Sequence, residues 1–141
     1  MLLGGERVGL LRESPLETKP VDWVSGGAMM VRKEAFEKLG GFDEHFFMYM
    51  EDMELCFRAK MKGLLTYFYP AVSIIHKKLG SSNRAFAIAQ IYKGLLHFYK
   101  KHTHYGEYML VKLILLVKAY IAIALGTLTR NTYLTSTYRR A

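Results

Sequence analysis

Cys56 is the only cysteine among 141 residues, which excludes an internal disulfide and any disulfide-stapled scaffold. The N-terminal stretch MLLGGERVGLLRE lacks the long apolar core that an export signal needs, so a reducing, cytosol-facing location is expected. Three prolines and no Ser/Gly/Pro-rich tract exclude a linker-dominated or low-complexity chain. No internal repeat is present at any period. Acidic residues nearly vanish in the second half: residues 77–141 hold one Asp/Glu against 11 Lys/Arg, whereas residues 1–76 hold 11 against 9. The front thus carries −2 and the back +10, and the basic part implies an anionic partner, a membrane surface or a nucleic acid. No helix-turn-helix, zinc-ligand or RNA-binding signature accompanies this charge, which sets nucleic acid aside.

What is present is a globular composition, 51% hydrophobic and 23% charged, enough for one ordinary domain with a core. Residues 1–20 contain Gly4-Gly5, Pro15 and Pro20 and read as an irregular lead-in with a short strand at 8–11. A β-prone run at 21–24 is followed by Ser25-Gly26-Gly27, which permits close backbone approach, and by a second strand-like run at 28–31. Helical spacing begins at Lys33 and stops at Gly40-Gly41. An aromatic-rich loop, 42–50, leads to a helix that starts at the acidic Glu51-Asp52, as a helix dipole favours, buries Leu55, Cys56 and Ala59, and closes at Gly63. Strands are expected at 64–69 and 71–75, the latter delivering His76 at its end. An amphipathic helix over 86–99, a basic His-rich connection over 100–104 and a final helix over 107–128 complete the reading. Cys56 reads as a small buried hydrophobe.

The most informative stretch is VDWVSGGAMMVRKEAFEKLGGFDEHFFMYMEDMELCFRAKMKG, followed by AVSIIH. It resembles the C-terminal half of the GT-A catalytic domain of family 2 glycosyltransferases, in particular the rhamnosyltransferase-like and galactofuranosyltransferase-like members that build bacterial surface polysaccharides. The resemblance lies in an ordered series over residues 21–82: a W-x-S-G-(A/G)-like loop, a basic residue before a helix, G-G-F-D-E-x-F-F, an E-D-x-(D/E)-L-x-x-R helix start, a Gly after that helix, and a strand ending in His. It implies an α/β fold, a partial GT-A (nucleotide-diphospho-sugar transferase) domain comprising the acceptor-side half, followed by C-terminal amphipathic and apolar helices.

The resemblance also implies an inverting transfer of a sugar from a nucleotide-sugar donor to a polysaccharide or lipid-linked acceptor. Such a reaction needs a general base for the acceptor hydroxyl. Asp52 matches the family's base position, with Glu51 orienting it or binding an acceptor hydroxyl; on composition alone, Glu51, Asp52 and Glu54 could equally be a solvated first turn. Glu54 and Arg58, at i and i+4, are placed for an ion pair that stiffens this helix. Trp23 either stacks on a sugar ring or packs in the core, and Ser25, Gly26 and Gly27 form the substrate loop beside it. Asp43 and Glu44 read as holders of a tight loop, with Phe46 and Phe47 packed beneath the site. His76 matches a ligand of the divalent Mn or Mg ion that neutralises a departing diphosphate, or is a structural histidine. His45, His97, His102 and His104 lack such context and read as surface groups. Lys77, Lys78, Ser81, Ser82 and Arg84 form a basic, hydroxyl-rich loop that either touches diphosphate oxygens or is solvated.

The chain contains no D-x-D triplet, and too few residues precede Val21 for a βαβ unit of roughly 30 residues. A fragment is therefore expected, divided into a lead-in (1–20), the GT-A half (21–82) and a helical region (83–141), and prone to self-association through an uncovered sheet edge. Residues 108–128 carry only Lys112 and Lys118 as charges. With their basic flanks they read as a helix lying in the plane of an anionic membrane surface, the alternative being a buried packing helix. That places the protein peripherally at the inner face of the plasma membrane. The competing reading of the whole chain is a non-catalytic, membrane-associated interaction module or pseudoenzyme remnant.

Overall fold

The computed structural model describes residues 15–75 and 84–139. Strand β1 (Lys19–Val21) pairs antiparallel with β2 (Thr66–Phe68), in the register Lys19↔Phe68, Pro20↔Tyr67 and Val21↔Thr66. This ribbon is the only sheet among the described residues. An isolated two-stranded ribbon has little stability of its own, and here it packs on helix α2 (Glu51–Met61).

The expected strands are shorter than their apolar runs. The run at 21–24 enters the sheet only through Val21, and the run at 28–31 begins inside a single 3-10 turn, Gly26–Ala28, with Met29 extended but unpaired in any sheet. Residues 71–75 form no strand, and Val72, Ile74 and Ile75 are exposed. Apolar alternation makes a strand only where a partner edge supplies the ladder, and among the described residues none does. The expected strand at 8–11 and His76 lie outside the described residues.

Helix α1 (Lys33–Leu39) ends as expected. Gly40 and Gly41 are left-handed (φ 82° and 72°), and the Gly41 N–H reaches back to the Phe36 carbonyl at 3.0 Å, closing the last turn in the manner glycine permits. Helix α2 stops the same way at Gly63 (φ 74°), with Leu64 N–H bonded to Ala59 O. Leu39, Phe46, Leu55 and Cys56 are buried in this part of the chain.

Helix α3 (Arg84–His102) runs through most of what reads as a connection, so Lys100, Lys101 and His102 are helical. Helix α4 (Tyr105–Leu128) follows after two residues, and a fifth helix, α5 (Thr132–Tyr138), was not anticipated. Asn131 caps it by accepting from Leu134 N–H at 3.2 Å. The chain doubles back so tightly that a Cβ on Gly126 would lie 2.9 Å from Leu134 Cβ. Tyr92, Leu115 and Tyr138 bring α3, α4 and α5 into one small core.

Candidate functional site

Helix α2 opens with Glu51, Asp52 and Glu54 in its first turn. Unsatisfied N–H groups and the positive end of the helix dipole favour carboxylates there. Asp52 uses both oxygens: Oδ1 accepts from Met53 N–H at 2.8 Å, and Oδ2 accepts from Gly26 N–H at 2.7 Å. The second bond joins two segments that the sequence separates by 26 positions. It brings the two segments into contact: a Cβ at Gly26 would stand 3.4 Å from Asp52 Cβ, an ordinary van der Waals distance.

Ser25 shapes the same loop, its Oγ accepting from Gly27 N–H at 3.3 Å. Lys60 Nζ pairs with Asp22 Oδ1 at 2.7 Å, so the loop from 22 to 26 is tied to α2 at two points. Residues 52 and 60 are roughly 12 Å apart along a helix rising about 1.5 Å per residue. Trp23 lies inside that bracket, half exposed. Four of the expected site residues, Ser25, Gly26, Gly27 and Asp52, are therefore assembled around one carboxylate. Glu51 is partly buried, and its Oε2 has no hydrogen-bond partner among the described residues. A buried carboxylate oxygen without a donor is costly unless a ligand supplies one.

The turn that presents this pair is strained. Tyr49 (φ 68°) and Met50 (φ 75°) are consecutive left-handed residues that are not glycine, and each such conformation costs about 1–3 kcal/mol.

Behind the first turn lies a network of charges. The Glu54 side chain is fully buried, with Arg58 Nε and Nη2 at 2.8 and 2.7 Å from Oε2, and Lys101 Nζ and His102 Nε2 at 2.8 and 3.0 Å from Oε1. Arg58 also donates to the carbonyls of Leu39 and Gly41, fastening the end of α1 to α2. The expected Glu54–Arg58 pair is thus present, with two partners that sequence reasoning missed. Burial pushes the Glu54 carboxyl up, but hydrogen bonds from Arg58, Lys101 and His102 override it and hold it below the usual carboxylate range.

Asp43 is treated alike. Burial raises it, and hydrogen bonds from Lys101, the His45 backbone and side chain, and His97 bring it well below its ordinary value. Lys101 sits between the two acids; burial lowers it, and its bonds to Asp43 and Glu54 raise it above the usual lysine value.

His97 and His102 are therefore not surface groups: both are mostly buried and paired with acids. His45 is exposed but stacks on His97, with ring centroids 4.9 Å apart, and bonds to Asp43. The available signal was the unpaired acid at 43 and the i, i+4, i+5 spacing of 97, 101 and 102, legible once α3 is extended through His102.

Asp43, His45 and His97 bring three potential metal-ligand atoms within 4.8 Å of one another. Their geometry is that of a hydrogen-bonded cluster. Asp43 accepts from His45 N–H, His45 Nδ1, His97 Nε2 and Lys101 Nζ, which fills the roughly four acceptor sites of a carboxylate. An ammonium 2.7 Å away opposes a cation. His76, the residue expected to bind metal, lies outside the described residues, as do Lys77, Lys78, Ser81 and Ser82.

Comparison with known proteins adds the family. Residues 7–138 match the family described as glycosyl transferase family group 2. The N-acetylglucosaminyl-diphospho-decaprenol L-rhamnosyltransferase of Mycobacterium tuberculosis is 44% identical over 66 residues, covering 47% of this chain and 22% of that protein. Rhamnosyltransferase WbbL of Escherichia coli K12 is 37% identical over 75 residues (53% and 28%), and the low-salt glycan biosynthesis hexosyltransferase Agl10 of Haloferax volcanii is 34% identical over 88 (60% and 29%). The chain thus spans between 22% and 29% of the length of these relatives. No solved structure matches it.

Proposed function

The chain belongs to glycosyl transferase family group 2, and on that premise we propose that it is the acceptor-side part of an inverting, rhamnosyltransferase-like enzyme in which Asp52 is the general base. The Gly26 N–H to Asp52 Oδ2 bond carries this reading, because it fixes a carboxylate at a helix N-terminus against a backbone-lined loop. Two backbone donors orient Asp52 and leave a lone pair on each oxygen for an incoming hydroxyl.

The acceptor oxygen attacks the anomeric carbon of a nucleotide sugar while Asp52 takes its proton. The bond from that carbon to the nucleoside diphosphate breaks, with its electron pair leaving on the phosphate oxygen, and the configuration inverts in one displacement. Glu51, beside Asp52 in the same helical turn, orients the base or binds a second acceptor hydroxyl, and Trp23 offers its half-exposed ring to the sugar. In a complete enzyme of this family His76 would be the residue to hold a divalent Mn or Mg ion, which would supply charge to offset the departing diphosphate. Residues 21–82 are read as half of an α/β GT-A domain whose remainder binds the nucleotide, with 83–141 as its helical extension. The acceptor is read as a polysaccharide or a lipid-linked sugar, a reading supported by the diphospho-decaprenol in the name of the Mycobacterium tuberculosis relative and the glycan biosynthesis in that of the Haloferax volcanii one.

The helical extension supports a peripheral site at the inner face of an anionic membrane. Helix α4 is long and apolar enough to cross a bilayer, with a mean hydropathy of 2.2 over its most apolar window, of which 11% is buried. Its partners favour the in-plane alternative: α3 and α5 cover one side, so a crossing would drag polar residues of α3 into lipid. At about 100° per residue, Lys112 and Lys118 fall to either side of the exposed arc that holds Leu113, Val117 and Tyr120. The exposed Lys112 so placed reaches headgroups while the arc enters the acyl boundary, and Lys118 turns back over the Tyr92 ring, 5.6 Å from its centroid. Exposed apolar residues at 65–75 give the isolated chain a surface for self-association.

The test is sugar transfer by the chain joined to a nucleotide-binding part. Asp52→Asn is expected to lower kcat by about 10²–10⁴ with donor affinity kept, and full turnover in that variant would sink the assignment.

A further inference from the structure

Glycine is a poorer helix former than alanine, and α3 carries a buried one at Gly94. The reason is contact. A Cβ on Gly94 would lie 2.9 Å from Met50 Cγ, 3.1 Å from Met50 Cβ and 3.5 Å from Phe46 Cδ1. Met50 is the left-handed residue immediately before Glu51 and Asp52, and Tyr49 before it is left-handed too. Two such residues in succession persist only where the surroundings over-determine them.

Helix α3 supplies those surroundings from one face. Gly94, His97 and Lys101 recur at i, i+3 and i+7, which places them in one stripe. The first meets Met50, the second bonds Asp43, and the third bonds both Asp43 and Glu54. Ile88, Tyr92, Leu95 and Leu96 form the other stripe and pack in the core shared with α4 and α5. The helix is therefore wedged between the apolar helix and the acidic turn.

We propose that Gly94 is a positioning residue for Asp52: the close approach it allows holds the Tyr49–Met50 turn left-handed and so sets where the first turn of α2 meets Gly26. The inference rests on the reading of Asp52 as the base for its effect on transfer, and stands on geometry for its effect on structure.

The structural arm reads the backbone amide of Gly26 by nuclear magnetic resonance in the full 141-residue chain. A short bond to a carboxylate moves that proton downfield. Gly94→Ala is expected to shift it upfield as the bond to Asp52 lengthens. Met50→Gly, which removes the facing side chain and suits a left-handed backbone, leaves it near the wild-type position. The pair Gly94→Ala/Met50→Gly, in which the small residue has changed sides, restores much of the wild-type position.

In the enzyme joined to a nucleotide-binding part, Gly94→Ala lowers kcat about tenfold or more, since small misplacement of a catalytic group is costly. The donor KM is unchanged and the double variant regains rate. An unmoved Gly26 amide in folded Gly94→Ala, or a double variant no closer to wild type than Gly94→Ala, overturns the proposal. Should Gly94→Ala fail to fold, the double variant decides alone, and a double variant that also fails to fold, or whose Gly26 amide lies far from the wild-type position, overturns it equally. Full turnover in Asp52→Asn removes the base reading and does not touch the amide result.

Discussion

Behind the first turn of α2 the acids Asp43 and Glu54 lie inside the protein and are matched, whereas along α4 most of the apolar groups lie outside and are not. Glu54 is fully buried yet meets Arg58, Lys101 and His102. Leu113, Val117, Tyr120 and Leu128 are each more than two-fifths exposed, on a helix with hardly any buried positions. Burial of ions is tolerated where every lone pair is met, because an unmet buried charge is far more costly than a solvated one. Exposure of so large an apolar arc is tolerated where another phase covers it. The α2 region therefore reads as a cluster held in one geometry, and the α4 region as an uncovered apolar surface that the proposal above assigns to lipid. Helix α3 belongs to both.

The largest expected effect breaks the matched side. Glu54→Ala leaves Arg58 and Lys101 without their shared acid, and breaking a buried pair of this kind costs about 3–5 kcal/mol. Urea unfolding should show that loss in the midpoint with little change in slope. Lys101→Met should cost much less, because Lys101 is more than a third exposed and solvent screens its pairs. Equal losses in the two variants would mean that Glu54 is not the centre of the network.

Acidification probes the same groups without mutation. Asp43 and Glu54 are both held below their ordinary values. Their stabilisation is complete above the unfolded carboxylate range near ~4 and is lost as pH falls through the folded values. Lys101 is raised, so its contribution is complete below about 10.4 and is lost as pH rises through its folded value. The urea midpoint should thus fall on the acid side, and fall less steeply there in Glu54→Ala. An acid limb identical in the two chains would contradict the assignment.

The matched side was partly legible in the sequence and the unmatched side largely so. Glu54 and Arg58 advertise their pairing by spacing, and Gly40, Gly41 and Gly63 mark helix ends because a left-handed closing residue is cheap only for glycine. The partners from α3 were hidden, because spacing along one helix carries no information about contacts 54 positions away, as between Asp43 and His97. The basic run 100–102 also resembled a linker more than a last helical turn. The strands were over-read at 28–31 and 71–75 for a related reason: a strand is a property of a pair of segments, and alternation marks only one of them. The resemblance marked the loop 25–27 and Asp52 separately as site residues; that the Gly26 N–H bonds the Asp52 carboxylate came from the structure.

The smallest expected effect belongs to the exposed arc of α4 and separates lipid from core. Val117 is about half exposed, so Val117→Asp should leave the urea midpoint within about 0.5 kcal/mol of wild type, as for other surface changes. Flotation with vesicles of anionic lipid reads the other side of the comparison. Burying a valine side chain contributes about 1.5–3 kcal/mol, and a carboxylate in its place also repels the headgroups, so partitioning should weaken roughly tenfold or more. A chain that lost stability and kept its partitioning would place Val117 in a protein core and turn the reading of α4 around. Partitioning lost at constant stability is what an in-plane helix requires, since the arc touches lipid and nothing else.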